Sequence, residues 1–254
     1  MSIFLLGAGP DAEAFPEVFD LFAAEAALRA APGRSPRIAV AVHDSGGAPL
    51  NRLPEYAGPL QERSDSDVGP VLLHDTSPAD SADFAGADGV VVGGGLTPAY
   101  LRGVERASHT LGQLVRRGVP YLGFSAGAMV APGRALIGGY LINGIEVCGE
   151  ECSEGLADVE FRDGLGITPF AVDVHAAQAG TLSRAVGAVA AGLVNHAVAI
   201  DEGTAIILAA ADAGDYTVIG AGTCWDVRGR AHRGPGLGEG AAVVTARTAE
   251  PARN

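Results

Sequence analysis

The chain has 254 residues, 48% of them hydrophobic and 19% charged, enough apolar material for a packed core, which excludes a disordered chain. Seventeen Lys and Arg stand against 30 Asp and Glu, a net charge of −13. That excludes nucleic acid and anionic membrane surfaces as expected partners, because the phosphate field repels such a chain, but not a small anionic substrate held in a local pocket.

The first stretch, "SIFLLGAG", reads as a strand ending in a glycine turn, too short and without the basic segment of a signal peptide. "DAEAFPEVFDLFAAEAAL" has helical periodicity closed by "APGRSP", and "RIAVAVHDS" is strand-like. A polar segment containing Gly and Pro leads to "GPVLLHDTS". "ADGVVVGGGLTPAYLRGVERASHTLGQLVRRG" then reads as an apolar strand, a glycine cluster and one long helix, and "VPYLGFSAGAMVAPG" as a strand entering a helix. Strands apolar on both faces, alternating with helices, predict an α/β fold: a three-layer sandwich with a mostly parallel central sheet.

After residue 135 the pattern turns to glycine, acid and short strand signals. "SRAVGAVAAGLV" follows as a helix, and "HAVAIDEGTAIILAA", "YTVIGAG" and "TCWDVRG" as strands. The tail "TARTAEPARN" reads as loose, about the last ten residues. With no linker and no repeat, residues 1–254 are expected to form a single domain. No apolar stretch reaches the roughly 20 residues that span a bilayer, so a soluble cytoplasmic protein is the expectation. Cys148, Cys152 and Cys224 are too few and odd in number for a disulfide framework. Cys148 and Cys152 stand four apart, but Gly149 intervenes and no His is near, so no metal is expected.

Gly123-Phe124-Ser125-Ala126-Gly127 fits the G-x-S-x-G elbow. A serine exposed between strand and helix must take a strained turn, and flanking glycines leave room where the backbone folds on itself. The N–H of Ala126 can then donate to an oxyanion. Gly93, Gly94 and Gly95 do not match G-x-G-x-x-G and no P-loop lysine follows, so they form either a tight packing turn or a second oxyanion donor from Gly94 or Gly95. A serine hydroxyl needs a base. His175, ending the alternating run "ITPFAVDVH" and followed by small residues, is best placed; His43 and His74 also end strands. "VAIDEGTAII" offers Asp201 and Glu202 in one turn as the acid that would orient the base.

Taken in order, "FLLGAG", "VVVGGGLT", "GFSAGA", "GLGITPFAVDVH" and "AIDEGTAI" resemble the dipeptidase E/cyanophycinase family of serine peptidases along most of the chain. The resemblance implies a class I glutamine amidotransferase-like, flavodoxin-like fold and no cofactor. It implies Ser125 as nucleophile, His175 as general base, Glu202 as orienting acid with Asp201 as competitor, and an oxyanion hole from Ala126 and the Gly94–Gly95 region. It implies a small peptide substrate, a dipeptide or isopeptide related to Asp-X or β-Asp-Arg. Relatives include monomers and dimers, and a homodimer is the expectation.

The sequence departs from the family at Leu96, where relatives carry Asn or Gln, and at Ala176-Ala177-Gln178, where an aromatic and basic residues are usual. Leu96, Gln178 and Arg184, the last as a stand-in for a basic residue, are therefore the expected substrate contacts. Glu146, Glu150, Glu151, Glu154, Asp158, Glu160 and Asp163 lie between nucleophile and histidine, either as a solvated loop or as an acidic rim favouring a cationic substrate group. Two other readings use the same serine: an α/β-hydrolase-type esterase with Asp212 and His232, and a catalytically silent binding protein of the amidotransferase-like fold. A glutaminase is not the expectation, because those enzymes use cysteine as nucleophile and the position here is serine.

Overall fold

The computed structural model describes residues 2–43, 49–230 and 241–249. The first half alternates β1 (Ile3–Leu6), α1 (Pro16–Arg29), β2 (Arg37–His43), α2 (Leu53–Gln61), β3 (Asp67–Leu73), β4 (Gly89–Val92), α3 (Thr97–Val104), α4 (Ser108–Arg116), β5 (Tyr121–Phe124) and α5 (Ala126–Met129). Short strands follow: β6 (Arg134–Gly138), β7 (Leu141–Ile142), β8 (Ile145–Glu146) and β9 (Glu160–Asp163). The chain closes with β10 (Ala171–Val174), α6 (Leu182–Ala190), β11 (His196–Ile200), β12 (Thr204–Leu208), β13 (Thr217–Gly220), β14 (Thr223–Arg230) and β15 (Ala241–Thr248).

Seven strands form the central sheet in the order β13-β12-β1-β5-β4-β2-β3. From β1 to β3 the neighbours are parallel, while β12 and β13 add antiparallel pairs at one edge. The alternation of side chains along each strand divides the core in two. Phe4 and Leu6 of β1 pack with Phe15, Phe19 and Phe22 around α1 and Tyr56 and Leu60 of α2. Ile3 and Leu5 face the opposite side, against Tyr100 and Val104 of α3 and Leu111 of α4. This is the mixed α/β architecture with a mostly parallel sheet that the strand pattern indicates.

Four later strands do not join that sheet. They form a second one in the order β10-β11-β14-β15. Val172, Val174, Val198 and Ile200 point into the same core as Ile3 and Leu5, while Ala171, Ala197 and Ala199 on the other face meet Ala185 and Val189 of α6. The histidine strand, β10, therefore belongs to a different sheet from the serine strand, β5.

Three local expectations change. The long helix after the glycine cluster is two helices, α3 and α4, separated by a 3₁₀ turn at Glu105–Ala107. Gly103, a weak helix former, precedes the break and lies against Leu73, where a Cβ would come within 2.7 Å of that side chain. The polar segment before β3 contains α2, with Pro59 inside it. The tail is shorter than expected, because residues 245–248 pair with β14 as the end of β15, and residues 250–254 lie outside the described residues. Among the described residues, no helix is long and apolar enough to cross a membrane.

Candidate active site

Ser125 follows β5 directly and adopts φ 47°, ψ −106°, a left-handed backbone that a residue with a side chain occupies only under constraint. The constraints are visible on both sides. The Ser125 N–H donates to the Leu6 carbonyl at the end of β1 (3.1 Å), and the Gly127 N–H donates to the Gly93 carbonyl after β4 (3.1 Å). The elbow is thus laced to the ends of two neighbouring strands. Its flanking glycines are required by space: a Cβ on Gly123 would stand 2.7 Å from the Gly127 carbonyl, and one on Gly127 would stand 2.2 Å from the Val92 oxygen. The helix that follows, α5, is a single turn of four residues, so any help to a developing oxyanion comes from individual N–H groups rather than from a long helix dipole.

The glycine cluster lies beside the elbow. A Cβ on Gly94 would be 3.2 Å from Ser125 Cβ. The Gly94 N–H, however, donates to the hydroxyl of buried Tyr56 at 3.0 Å. Gly94 is therefore not available as a backbone donor to an oxyanion, contrary to one of the two expected assignments. Among the described residues, the N–H groups of Ala126 and Gly95 make no hydrogen bond to a backbone carbonyl or side chain. Arg52 completes this corner: its guanidinium donates through Nη1 to the Gly94 carbonyl and through Nη2 to Tyr56 Oη at 2.8 Å. Burial pushes the Tyr56 phenol up from its ordinary pKa, against the opposing pull of the Gly94 N–H and the Arg52 charge, so it stays neutral at physiological pH.

His175 leaves the end of β10 with φ 56°. Its N–H donates to the Gly7 carbonyl at 3.1 Å, and its own carbonyl accepts from Ala179 at 2.8 Å. Gly7 has no room for a side chain, since a Cβ there would be 2.1 Å from the Asp201 carbonyl oxygen; that close approach joins the serine sheet to the histidine sheet. His175 Nε2 stands 3.0 Å from Ser125 Oγ, and its Nδ1 stands 2.6 Å from Glu202 Oε1. The side chains of His175 and Glu202 are 32% and 47% exposed. Glu202 occupies the turn from β11 of the second sheet to β12 of the first, and Gln178 Oε1 accepts its N–H at 2.9 Å. The arrangement can pass a hydroxyl proton to an imidazole whose other nitrogen is fixed by a carboxylate.

The remaining candidates separate by their contacts. Asp201 is buried and accepts from Ala177 N–H (3.0 Å), Thr223 N–H (3.0 Å) and Trp225 Nε1 (2.9 Å), so it braces the turn and does not touch His175. Arg184 is 2% exposed and forms a buried pair with Asp173 at 2.6 and 2.9 Å, also donating to the Gly139 and Cys152 carbonyls. Burial opposes its charge, but Asp173 more than compensates and raises its pKa. An arginine so enclosed is not a substrate contact, which corrects that expectation. Gln178 is occupied in holding the Glu202 backbone. Leu96 is 56% exposed at the start of α3.

Glu154, one of the expected rim acids, instead caps α3: its carboxylate accepts the Thr97 N–H at 3.0 Å and the Thr97 hydroxyl at 3.3 Å. Glu160 pairs with Arg162, while Glu146, Glu150, Glu151, Asp158 and Asp163 are exposed. Cys148 and Cys152 are free thiols, both held above the ordinary thiol pKa mainly by burial. Among the described residues, no group of three or more His, Cys, Asp and Glu is arranged to hold a metal. His43 lies near Asp75 and Tyr100. Asp212, the acid of the esterase reading, bonds through its N–H to the Ile167 carbonyl, and His232 lies outside the described residues. The position at Ser125 that the esterase reading gives to His232 is taken by His175.

Sequence reading missed Arg52 and Tyr56. The available signal was Pro54 opening "LPEYAGPL", with Tyr56, Ala57 and Leu60 at helical spacing; Gly58 and Pro59 obscured it.

The fold is a mostly parallel α/β sandwich of the class I glutamine amidotransferase-like kind, with Ser125 on a strained elbow after a central strand. Residues 66–213 match the profile of peptidase family S51. The chain belongs to that family, the dipeptidase E/cyanophycinase family of serine peptidases. The crystal structure of a peptidase from an acI-B1 Actinobacterium shares the fold, with a TM-score of 0.57 and 19% identity over 98% of this chain and 95% of that one. A putative peptidase E protein from Listeria monocytogenes EGD-e aligns with a TM-score of 0.48 and 14% identity over 87% of this chain and 98% of that one. No curated protein matches the sequence.

Proposed function

We propose that this serine peptidase hydrolyses small peptides, dipeptides or isopeptides related to Asp-X or β-Asp-Arg, through an acyl-enzyme on Ser125. The observation that carries the reading is the unbroken chain Ser125 Oγ, His175 Nε2, His175 Nδ1, Glu202 Oε1, with steps of 3.0 and 2.6 Å, built on an elbow held at positive φ. With its proton on Nδ1, His175 donates to Glu202 and accepts the Ser125 proton at Nε2. Oγ attacks the scissile carbonyl, and the oxyanion is received by backbone N–H groups beside the elbow. His175 then gives the proton to the leaving amine. A water, deprotonated by His175, attacks the ester carbonyl, and Ser125 leaves with the returned proton.

Exposed Glu146 lines a groove together with Ala176 and Ala177, the residues after His175, and exposed Glu150 and Glu151 directly follow Gly149 of the same groove in the chain. That placement supports a preference for a cationic group in the substrate.

The test is hydrolysis of matched dipeptides carrying Arg, Leu or Asp in each position, by wild type, Ser125→Ala and His175→Ala. Both variants are expected to lose on the order of 10⁴–10⁶-fold in kcat. Full activity in Ser125→Ala refutes the mechanism. A wild type inert toward every peptide, and unlabelled by a fluorophosphonate, favours a silent binding protein instead. Neutralising Glu150 and Glu151 together is expected to erase a preference for Arg and to leave Leu substrates unchanged.

A further inference from the structure

Gly94 lies between two very different neighbours. On one side is Ser125, whose Cβ is 3.2 Å from where a Gly94 Cβ would be. On the other are Tyr56 and Arg52, which capture both polar groups of Gly94: the hydroxyl of Tyr56 accepts its N–H, and the guanidinium of Arg52 donates to its carbonyl. Arg52 also donates to the Tyr56 hydroxyl at 2.8 Å and lies over the Tyr56 ring at 5.6 Å. The two side chains therefore act as one clamp. Tyr56 is itself fixed, fully buried and tilted against Phe124, the residue before the serine, at 5.3 Å between ring centroids.

The Gly94 carbonyl and the Gly95 N–H belong to one peptide plane. In a trans peptide they point in opposite directions; no cis peptide is present. Arg52 holds the carbonyl in the corner it shares with Tyr56, so the Gly95 N–H is turned out of that corner, and among the described residues no backbone carbonyl or side chain accepts it. The geometry points to Arg52 as a positioning residue, with Tyr56, that locks the Gly94–Gly95 peptide so that the Gly95 N–H is the second oxyanion donor beside Ala126. This rests on the acyl-enzyme reading above.

The physical case has two parts. A glycine pair has no Cβ to resist a peptide flip. Flipping would aim the Gly94 carbonyl at the developing negative charge and remove a donor. The clamp sets against that flip a charge-assisted hydrogen bond to the carbonyl. That same bond polarises the peptide and strengthens its N–H as a donor. In this role Arg52 acts on the peptide rather than on substrate: Nη1 and Nη2 are spent on Gly94 and Tyr56, and Nε faces Glu55 at 3.6 Å, with the side chain 37% exposed.

The variants are Arg52→Gln, Arg52→Lys and Tyr56→Phe, assayed with Leu- and Asp-bearing dipeptides and with a peptide boronic acid as a mimic of the tetrahedral state. For Arg52→Gln, kcat is expected to fall about 10²-fold, the scale of a misplaced catalytic group, with KM nearly unchanged and the same factor for both substrates. Boronate affinity should fall in step with kcat/KM, and the pH profile should keep its shape. Arg52→Lys should recover part of the loss, since an ammonium can reach the carbonyl but cannot fork to Tyr56. Tyr56→Phe should weaken boronate binding by a smaller factor.

Two results overturn the inference. In one, Arg52→Gln has wild-type kcat and boronate affinity while Ser125→Ala and His175→Ala are inactive; the acyl-enzyme reading then stands and the clamp falls. In the other, the loss is confined to KM for Asp-bearing substrates, which makes Arg52 a direct contact to a substrate carboxylate. If Ser125→Ala is fully active, the underlying reading fails whatever Arg52 does. Thermal unfolding of each variant separates these losses from misfolding.

Discussion

Asp201 and Glu202 are adjacent in one turn and serve opposite faces of it. Glu202 reaches out to His175 Nδ1 at 2.6 Å, while Asp201 turns inward to the N–H groups of Ala177, Thr223 and the Trp225 indole. One carboxylate faces the candidate chemistry and the other holds the turn that presents it. Gln178 adds to the presentation by accepting the Glu202 N–H.

The two carboxylates are therefore separable by experiment. Glu202→Gln should lower kcat on the order of 10²–10⁴-fold, because the imidazole loses the anion that fixes its tautomer. Its stability should change by less than about 1 kcal/mol, since the side chain is half exposed. Asp201→Ala should do the reverse in emphasis, leaving three donors unpaired at on the order of 1–3 kcal/mol for each that is buried. Urea unfolding together with steady-state kinetics reads both. Equal loss of stability in the two variants would contradict the division of labour.

Arg184 and Asp173 form a buried pair on α6 and β10, two residues before His175. Removing one partner strands the other charge in the core, so Arg184→Met should cost about 3–5 kcal/mol. Replacing both, with Arg184→Met and Asp173→Leu, should recover part of that loss in urea unfolding. The preference among Arg, Leu and Asp dipeptides should be the same in whatever folded Arg184→Met remains. A selective loss of one substrate class would restore Arg184 as a substrate contact.

Much of the candidate site could be read in the sequence because its signals are local. The elbow glycines, the apolar strand before Ser125 and the small residues after His175 are each a few positions long. The central sheet followed from the same kind of evidence, since strands buried on both faces announce a covered parallel sheet. What could not be read depends on distant pairing. Nothing within "FAVDVH" tells that β10 joins β11, β14 and β15 rather than the central sheet. Arg184 looks like any surface arginine on a helix until Asp173 is placed opposite it. The choice between Asp201 and Glu202 turns on which side of a turn each faces, and two adjacent acids carry no mark of that. Arg52 and Tyr56 were hidden because Gly58 and Pro59 made α2 look like a loop.

Glu154 joins the acidic segment to the loop beside Ser125, and its burial there disfavours the charged carboxylate. Burial raises its pKa from the ordinary 4.5, and the Thr97 N–H and hydroxyl and the Arg184 charge only partly offset this. A carboxyl with a raised folded-state pKa holds its proton more tightly folded than unfolded. Its contribution is then fully present below pH 4.5 and is lost as pH rises through the raised value. Glu154→Gln removes this dependence and keeps an amide oxygen to accept from Thr97. The stability of the variant relative to wild type should therefore climb as pH rises from 4.5 through the folded-state pKa, and level off above it. Urea midpoints measured at half-unit pH steps on both proteins provide the reading. A difference that is flat across that window would mean the position leaves the carboxyl unshifted, and one that shrinks with pH would mean the Glu154 carboxylate is stabilised by its position at the start of α3; either result contradicts the burden.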